Sequence, residues 1–303
     1  MLDSPSALKE HGRAVPYLGG MAVAAGVAAA MAGYPGAMPD ELRSLLIGTS
    51  AMLCMGLADD LRPISPYVKL LFQFLATTIA ISGGLHVSIH VLPPAVNFIL
   101  TYLWMMAITN AFNIIDVHDG LCSGAAAVIG VGLLLVSVFT ELYDKTFVTV
   151  SSAALVGGTA AFFLANHPPA TQFLGDAGSL SIGFLLAGLA IGESYTPGHS
   201  VGLLVPFMVF ILPLYDLVFV VILRLMKGQS PIRGSPDHVA VRLRKMGWSD
   251  RKVLWSLLGL GAAGAVLAPG VVFCPLPYAA FIAACAIAAA VGIGAALARI
   301  RVT

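Results

Sequence analysis

The 303-residue sequence predicts an all-α, polytopic integral membrane protein with about ten transmembrane helices. Three observations predict this class: hydrophobic residues make up 58% of the chain, charged residues make up only 10%, and the mean hydropathy is +0.92. Soluble domains carry about 25% charged residues. The polar stretches between the apolar segments are too short to form a separate soluble core. We therefore expect a single transmembrane domain over residues 1–303, with a cytoplasmic basic loop at residues 225–252.

Ten segments are long and apolar enough to cross about 30 Å of hydrocarbon as helices. Two prolines lie inside the eighth segment and the seventh segment is short, so we expect individual boundaries to move by a few residues. The first fifteen residues are polar, and no cleavable signal peptide is predicted. The segments are residues 16–33, 42–58, 67–85, 94–112, 121–139, 146–166, 179–193, 201–224, 253–272 and 277–298.

The distribution of positive charge predicts the orientation of these spans. With ten spans, one face of the membrane receives 14 of the 16 Lys and Arg residues, and the other face keeps only Arg43 and Lys145. The positive-inside rule places the first face in the cytoplasm. We therefore expect a multi-pass membrane protein with both termini on the cytoplasmic side.

Three short acidic motifs fall at span ends or loops on that same face. Carboxylates next to membrane spans are costly unless they are paired, metal-bound or hydrated, so such motifs mark a site. An error of one span would scatter them to both sides of the membrane. The motifs are Ala58-Asp59-Asp60, Asn110-x-x-Asn113-x-x-Asp116-x-x-Asp119-Gly120, and Phe173-Leu-Gly-Asp176-x-Gly-Ser179.

Several aspartates without a His/Cys cluster suit a hard cation. Mg²⁺ prefers oxygen ligands and keeps water molecules that substrate phosphates can replace. The four cysteines are far apart and indicate neither a zinc site nor a disulfide framework. Arg13, Lys69 and the basic loop 225–252 supply fixed positive charge on the same face. A metal ion together with these cations would neutralise a diphosphate.

Each motif also has a purely structural explanation. Asp59 and Asp60 could stabilise a helix N-terminus, and Asp176 could belong to a turn that precedes the next span. Asn110 and Asn113, at i, i+3 spacing, could form hydrogen bonds between helices. The basic loop could serve only topology and lipid headgroups.

A cation- or proton-coupled transporter is an alternative use of the same acids. It predicts carboxylates at several depths, whereas Asp216 alone lies deep within a predicted span, and no internal repeat is evident. Asp216 could equally be a buried partner of a hydroxyl or of a kinked backbone.

The ordered motifs resemble those of the polyprenyl-phosphate N-acetylhexosamine-1-phosphate transferases, glycosyltransferase family 4. The resemblance runs from about residue 3 to about residue 250. It rests on Asp3-x-Pro5 with Pro16-x-x-Gly19-Gly20, on Asp59-Asp60 with Lys69 and Gln73, and on the second and third acidic motifs together with Asn166. Members of the family usually have one further helix upstream of the Asp3-x-Pro5 segment.

The resemblance implies an enzyme that transfers a sugar-1-phosphate from a UDP-sugar to undecaprenyl or another polyprenyl phosphate, with release of UMP and with Mg²⁺, or Mn²⁺ as an alternative, at the cytoplasmic face. The product would start a lipid-linked cell-envelope glycan, and the resemblance implies a location in the bacterial inner membrane. The implied catalytic residues are Asp59, Asp60, Asp116 and Asp119. The implied metal ligands are Asn113 and Asp176, and the implied substrate-binding residues are Arg13, Lys69, Asn166, His238 and Arg242.

Two departures from the family pattern bear on function. The last cytoplasmic loop reads His238-Val-Ala-Val-Arg242 where relatives commonly have His-x-His-His-Arg, and the second motif has Val117-His118 where many relatives have a glycine-containing turn. The first departure leaves the sugar open, and a catalytically inactive lipid-phosphate-binding relative is a further alternative. The expected partners are the UDP-sugar, the polyprenyl phosphate and membrane lipids, without nucleic acid; a homodimer is one oligomeric alternative.

Overall fold

The computed structural model describes residues 2–3, 15–140, 146–193, 200–230 and 236–300, and nearly all of them are helical. Two-residue strands β1 (Leu2–Asp3) and β2 (Val15–Pro16) pair antiparallel. The helices are α1 (Gly19–Met31), α2 (Asp40–Leu61), α3 (Pro66–Ser82), α4 (Pro94–Ile115), α5 (Leu121–Thr140), α6 (Thr146–Asn166), α7 (Gly175–Gly192), a 3₁₀ helix (Ser200–Leu204), α8 (Val205–Val209), α9 (Ile211–Met226), α10 (Val239–Lys245), α11 (Asp250–Val272) and α12 (Leu276–Ala298).

Each of the ten predicted apolar segments contains a helix, which confirms an all-α membrane protein. Within the described residues, seven helices are long and apolar enough to cross a membrane, or eight if α8 and α9 form one bent span. The other two apolar helices, α1 and α3, have 13 and 17 residues. At 1.5 Å per residue they extend about 20 and 26 Å, less than the hydrocarbon thickness of about 30 Å.

The predicted span at 201–224 is broken by a 77° bend between α8 and α9. Pro213 lies in the first turn of α9. A proline there has no N–H to donate to the carbonyl of Val209, and its ring crowds that carbonyl, so a continuous helix through Phe210 is disfavoured. α10, in the basic loop, was not predicted from the sequence.

α7 is the central helix of the bundle, and its neighbours are mainly α2, α4, α1 and α5. Small residues allow this close packing, because neighbouring helices touch the main chain of α7 directly. A Cβ on Gly56 of α2 would lie 2.4 Å from the carbonyl oxygen of Asp176, and a Cβ on Gly20 of α1 would lie 2.3 Å from the nitrogen of Gly178. These contacts place the end of α2 and the start of α1 against the N-terminus of α7.

Candidate active site

The connection between α2 and α3 brings Asp59 and Lys69 together. Ser65 is the N-cap of α3, so Lys69 lies one turn into that helix. Asp59 Oδ1 accepts a hydrogen bond from the backbone N–H of Ile64 at 2.6 Å, which folds the connection back onto α2. Lys69 Nζ then donates to Asp59 Oδ2 at 2.6 Å.

Asp60 fixes the N-terminus of α7. Its Oδ1 accepts a hydrogen bond from the backbone N–H of Asp176 at 2.8 Å, and its Oδ2 accepts one from Ala177 at 3.1 Å. The first N–H groups of a helix lack partners within the helix, and a carboxylate there also meets the positive end of the helix dipole. Gly175 has φ +73°, and a Cβ on it would lie 2.7 Å from Asp60 Oδ2. The glycine is therefore part of the cap.

Lys69 connects the first and third acidic motifs. Besides Asp59, its ammonium group donates to Asp176 Oδ2 at 2.5 Å. All three side chains are largely buried, with 14–27% of their surface exposed. One lysine thus stands among three carboxylates, since Asp60 lies on the other side of the same helix terminus. Carboxyl groups therefore outnumber ammonium groups in this cluster.

Two asparagines of the second motif point from α4 toward α7 and α3. Asn113 Nδ2 donates to Ser179 Oγ at 3.2 Å, one turn after Asp176 on α7. This leaves the Asn113 carbonyl oxygen as an acceptor. Asn110 exchanges amide hydrogen bonds with Gln73, which is 1% exposed. Gln73 follows Lys69 by four residues and therefore lies on the same face of α3.

Asp116, directly after α4, faces the other carboxylates. Burial, followed by the charges of Asp176, Asp60 and Asp119, raises the pKa of Asp116 well above its ordinary value. Within the described ranges its carboxylate has no hydrogen-bond donor. A cation placed among these groups would favour the ionised form of Asp116. The three acidic motifs therefore meet at one end of the bundle, as the span count predicted.

Asp119 and Asn166 join the second motif to the loop before α7. Asp119 Oδ2 accepts a hydrogen bond from the backbone N–H of Ala170 at 3.0 Å. Asn166, predicted to bind substrate, is 3% exposed; it accepts from the N–H of Gly120 at 3.2 Å and donates to the carbonyl of Gln172 at 2.9 Å. Asn166 thus stabilises the turn at Gly120 and the loop at Gln172 through its side chain. Direct contact with substrate would require these hydrogen bonds to break.

The Val117-His118 departure does not strain the turn. No non-glycine residue of the described chain has a positive φ, and Gly120, at φ +75°, alone takes the left-handed conformation in this turn. His118 is buried, and its Nδ1 lies 3.1 Å from the carbonyl oxygen of Asp119. Burial lowers the pKa of His118. A glycine between the two aspartates is therefore unnecessary here.

In the described residues, the contacts of His238 and Arg242 are with groups other than the carboxylates of the three acidic motifs. His238 Nδ1 lies 2.9 Å from Asp216 Oδ2, and the backbone N–H of Val239 donates to Asp216 Oδ1 at 2.8 Å. Arg242, 2% exposed, donates to Asp237 at 2.5 Å and to carbonyl groups at the end of α12. These bonds attach α10 to α9 and α12. The substrate-binding roles of His238 and Arg242 stay predictions, and they would require these contacts to rearrange.

The same contacts account for Asp216, the deep carboxylate on which the transporter alternative depends, because it is engaged with α10. Arg13, also predicted to bind substrate, lies outside the described residues. Of the predicted site residues, the structure brings together Asp59, Asp60, Lys69, Asn113, Asp116, Asp119 and Asp176. Ser179 and the buried Gln73 belong to the same region, and the i, i+4 spacing of Lys69 and Gln73 was the sequence signal for the latter.

The donor set fits an ion that is only partly held by protein. Within the described part of the chain, no three His, Cys, Asp or Glu side chains converge closely enough to hold a metal ion by themselves. Mg²⁺ is usually held by one or two carboxylates and completed by water and substrate phosphates. Asp176, the unpartnered carboxylate of Asp116 and the carbonyl oxygen of Asn113 are oxygen donors of this kind. The residues therefore fit Mg²⁺ better than a metal that needs a complete protein cage.

Fold and site together define a multi-pass helical membrane protein with a cluster of carboxylates, one lysine and amide groups at one end of the bundle. The sequence profile described as "Glycosyl transferase family 4" matches residues 42–193, just over half of the chain and the segment that carries all three acidic motifs. The chain belongs to this family, which confirms the resemblance seen in the motifs.

Three relatives illustrate the similarity. A probable undecaprenyl-phosphate N-acetylglucosaminyl 1-phosphate transferase of Bacillus subtilis is 28% identical over 258 residues, 82% of this chain and 71% of the relative. A decaprenyl-phosphate N-acetylglucosaminephosphotransferase of Mycolicibacterium smegmatis is 27% identical over 84% of this chain and 73% of the relative. A phospho-N-acetylmuramoyl-pentapeptide-transferase of Desulforudis audaxviator is 33% identical over 55% of this chain and 48% of the relative.

Proposed function

We propose that this protein transfers a sugar-1-phosphate, of the N-acetylhexosamine type, from a UDP-sugar to a polyprenyl phosphate and releases UMP. The observation that carries the proposal is the meeting of the three acidic motifs around Lys69 at one end of the bundle. The family and the names of the relatives support the reaction class. The product would be a polyprenyl-diphosphate sugar that starts a cell-envelope glycan.

The proposal includes the topology. Counting α8 and α9 as one bent span and adding the short helices α1 and α3 to the seven long ones gives ten spans, with an even number placing both termini on one side. The excess of Lys and Arg on the acidic-motif side supports a cytoplasmic site in a bacterial inner membrane. A UDP-sugar is water-soluble and would then reach the site from the cytoplasm.

In the proposed reaction, an oxygen of the polyprenyl phosphate attacks the β-phosphorus of the UDP-sugar, and the bond from this phosphorus to the α-phosphate oxygen breaks, so UMP leaves. The second pKa of a phosphate monoester is about 6, and the attacking phosphate is therefore largely dianionic near neutral pH. A strong general base is less necessary than alignment and charge neutralisation. Because the attacking phosphate is already ionised, the reaction does not require Asp59 to act as a base.

The residues of the protein would then position the two substrates and neutralise the charge of the diphosphate. Asp176 and Asn113 would hold Mg²⁺ or Mn²⁺, and Asp116 and Asp119 would hold the nucleotide or the water molecules of the ion. When bound, the ion would supply positive charge to the diphosphate. Lys69 now donates to two carboxylates, and with a divalent ion beside Asp176 its ammonium group could donate to a phosphate oxygen instead.

The Asp176→Asn variant tests the proposal in purified full-length protein, with undecaprenyl phosphate and a panel of UDP-sugars. Release of UMP should fall by about 10²-fold or more, because a carboxylate that neutralises charge in the transition state is lost. Asp40→Asn is the matched control, since Asp40 is an exposed residue at the other end of α2, paired with Arg43. Absence of UMP release by the wild type with every UDP-sugar, or undiminished release by Asp176→Asn, would contradict the proposal.

A further inference from the structure

Polar side chains hold α3, the helix that carries Lys69, against its neighbours. Phe72 and Leu75 of this helix are exposed, whereas Gln73 and Thr77 are buried. Large apolar side chains of α3 thus face outward, toward lipid, and polar side chains face the bundle. In a bilayer, apolar contact gives little preference for a neighbouring helix over lipid, so hydrogen bonds and close packing must fix the position of α3.

Gln73 and Asn110 form a reciprocal amide pair between α3 and α4. Asn110 Nδ2 donates to Gln73 Oε1 at 2.7 Å, and Gln73 Nε2 donates to Asn110 Oδ1 at 3.3 Å. Asn110 Nδ2 also donates to the carbonyl of Met106 at 2.7 Å, so the orientation of this amide is fixed by its own helix. Gln73 must therefore present its oxygen to one side of the Asn110 amide and its nitrogen to the other.

The amide pair lies one helical turn from Lys69. Gln73 follows Lys69 by four residues, so both side chains leave α3 on the same face. From there, Lys69 Nζ reaches Asp59 on α2 at 2.6 Å and Asp176 on α7 at 2.5 Å. A shift of α3 by about 1 Å would stretch such bonds beyond hydrogen-bond distance. The position of α3 therefore determines where this ammonium group lies.

Further contacts between α3 and α4 lie farther from the site. The hydroxyl groups of Thr78 and Tyr102 are 2.9 Å apart, and the rings of Phe74 and Tyr102 stack with their centres 4.6 Å apart. Thr78 comes five residues, more than one turn, after Gln73. Among the described residues, the amide pair is thus the hydrogen-bonded contact of these two helices that lies nearest to Lys69.

We propose that Gln73 is a positioning residue of the active site: by pairing with Asn110, it fixes α3 so that the ammonium group of Lys69 lies between Asp59 and Asp176. Neither amide needs to touch substrate in this role. The inference rests on the proposed function for its kinetic test, and a cross-linking test of the lysine position is independent of turnover. A change at Gln73 acts through Asn110, so its effect should not add to that of losing Asn110.

Cross-linking measures the position of Lys69 directly. In purified full-length protein, a water-soluble carbodiimide joins a lysine amine to a carboxylate in contact with it as an amide, and the carbodiimide takes up the water as a urea. Mass spectrometry then quantifies the links from Lys69 to Asp59 and Asp176. They are expressed as a ratio to the link between Lys227 and Asp237, a contact of 2.6 Å between the end of α9 and the segment before α10.

The first variants remove one side of the amide pair. Gln73→Leu and Asn110→Leu should each lower the cross-linking ratio about fivefold, the population shift that the loss of two interhelical hydrogen bonds supports. The kcat/KM for the UDP-sugar, measured by UMP release, should fall about tenfold or more, because a charged group displaced by about 1 Å no longer meets the reacting phosphate. The double variant should be no worse than the more impaired single variant, since both changes remove one shared interaction.

An exchange of the two side chains separates positioning from general stability. Gln73→Asn leaves the pair one methylene too short and Asn110→Gln makes it one methylene too long, whereas the two changes together restore the summed length. The exchanged pair should recover at least about half of the wild-type ratio and kcat/KM, above either single change. Thr78→Val is the matched control, because it removes a polar contact between the same helices and should match the wild type in both measurements.

The inference is overturned if Gln73→Leu matches Thr78→Val in the cross-linking ratio, or if the effects of Gln73→Leu and Asn110→Leu multiply. It is also overturned if the exchanged pair is no better than either of its single changes. If Gln73→Leu does not fold, the exchange, which keeps both amides, decides the question. A wild type that forms the Lys69 links but releases no UMP would contradict the proposed function and leave this inference to the cross-linking ratio.

Discussion

The cap that Asp60 forms on α7 can be broken by adding one carbon atom. In Gly175→Ala, the new Cβ would lie 2.7 Å from Asp60 Oδ2, whereas ordinary contacts begin near 3.4 Å. Asp60 must therefore shift by about 0.7 Å, which stretches its bonds of 2.8 and 3.1 Å to Asp176 and Ala177 beyond useful length. Weakening two hydrogen bonds to a charged group should cost about 2–4 kcal/mol. The left-handed backbone adds about 1–2 kcal/mol.

The measurement is the free energy of unfolding in mixed detergent micelles, followed by circular dichroism. Gly36→Ala is the matched control, since Gly36 has φ +79° and open space around a Cβ. Gly36→Ala should lower the free energy of unfolding only by the cost of the left-handed backbone, about 1–2 kcal/mol. In an Asp60→Ala background, Gly175→Ala should likewise lose only about 1–2 kcal/mol. Equal losses for Gly175→Ala and Gly36→Ala in the wild-type background would refute the cap as the reason for the glycine.

Two further predictions concern contacts that position the site. Gly56→Ala should destabilise the protein by about 1–3 kcal/mol and strongly reduce UMP release, because its Cβ would collide with the main chain at Asp176. Gly259→Ala is the control, since a Cβ there would have nothing within 4 Å, and it should leave stability and UMP release unchanged. Equal behaviour of the two variants would contradict the packing argument. Asp216→Asn should release α10 and make trypsin cleave after the now buried Arg242 at least about fivefold faster, and an unchanged cleavage rate would show that the contact with His238 does not hold α10.

The sequence was sufficient to predict the long apolar helices and the proximity of the acidic motifs. Long apolar runs can only be helices in a bilayer, because every backbone polar group must be satisfied within the segment. The parity of the spans then put the acidic motifs at one end, and the structure places Asp60, Asp116 and Asp176 there together. Their roles as catalytic residues and metal ligands stay predictions of the family resemblance.

Side-chain partners that depend on docking could not be predicted. Arg242 was expected to bind substrate because it lies in a basic loop, but its partners are Asp237 and the end of α12. Which helix a short loop helix docks against is set by tertiary packing, not by local spacing. Asn166 was expected to face substrate, whereas the turn at Gly120 has a buried N–H that must be satisfied, and Asn166 satisfies it. The prolines of the eighth segment predicted only that its boundaries could move, and the 77° bend was not predicted.

The close packing of α7 against its neighbours limits how mutations can change the substrate specificity of this protein. The helix meets α1 and α2 through backbone atoms. The distance from the two carboxylates at the end of α2 to Asp176 on α7 is therefore set by peptide groups, which have no rotamers to exchange. A larger side chain at Gly20, Gly56 or Gly178 would separate the helices before it reshaped any pocket. Laboratory evolution toward another sugar should therefore accept substitutions in the loops that flank the site and reject them along α7.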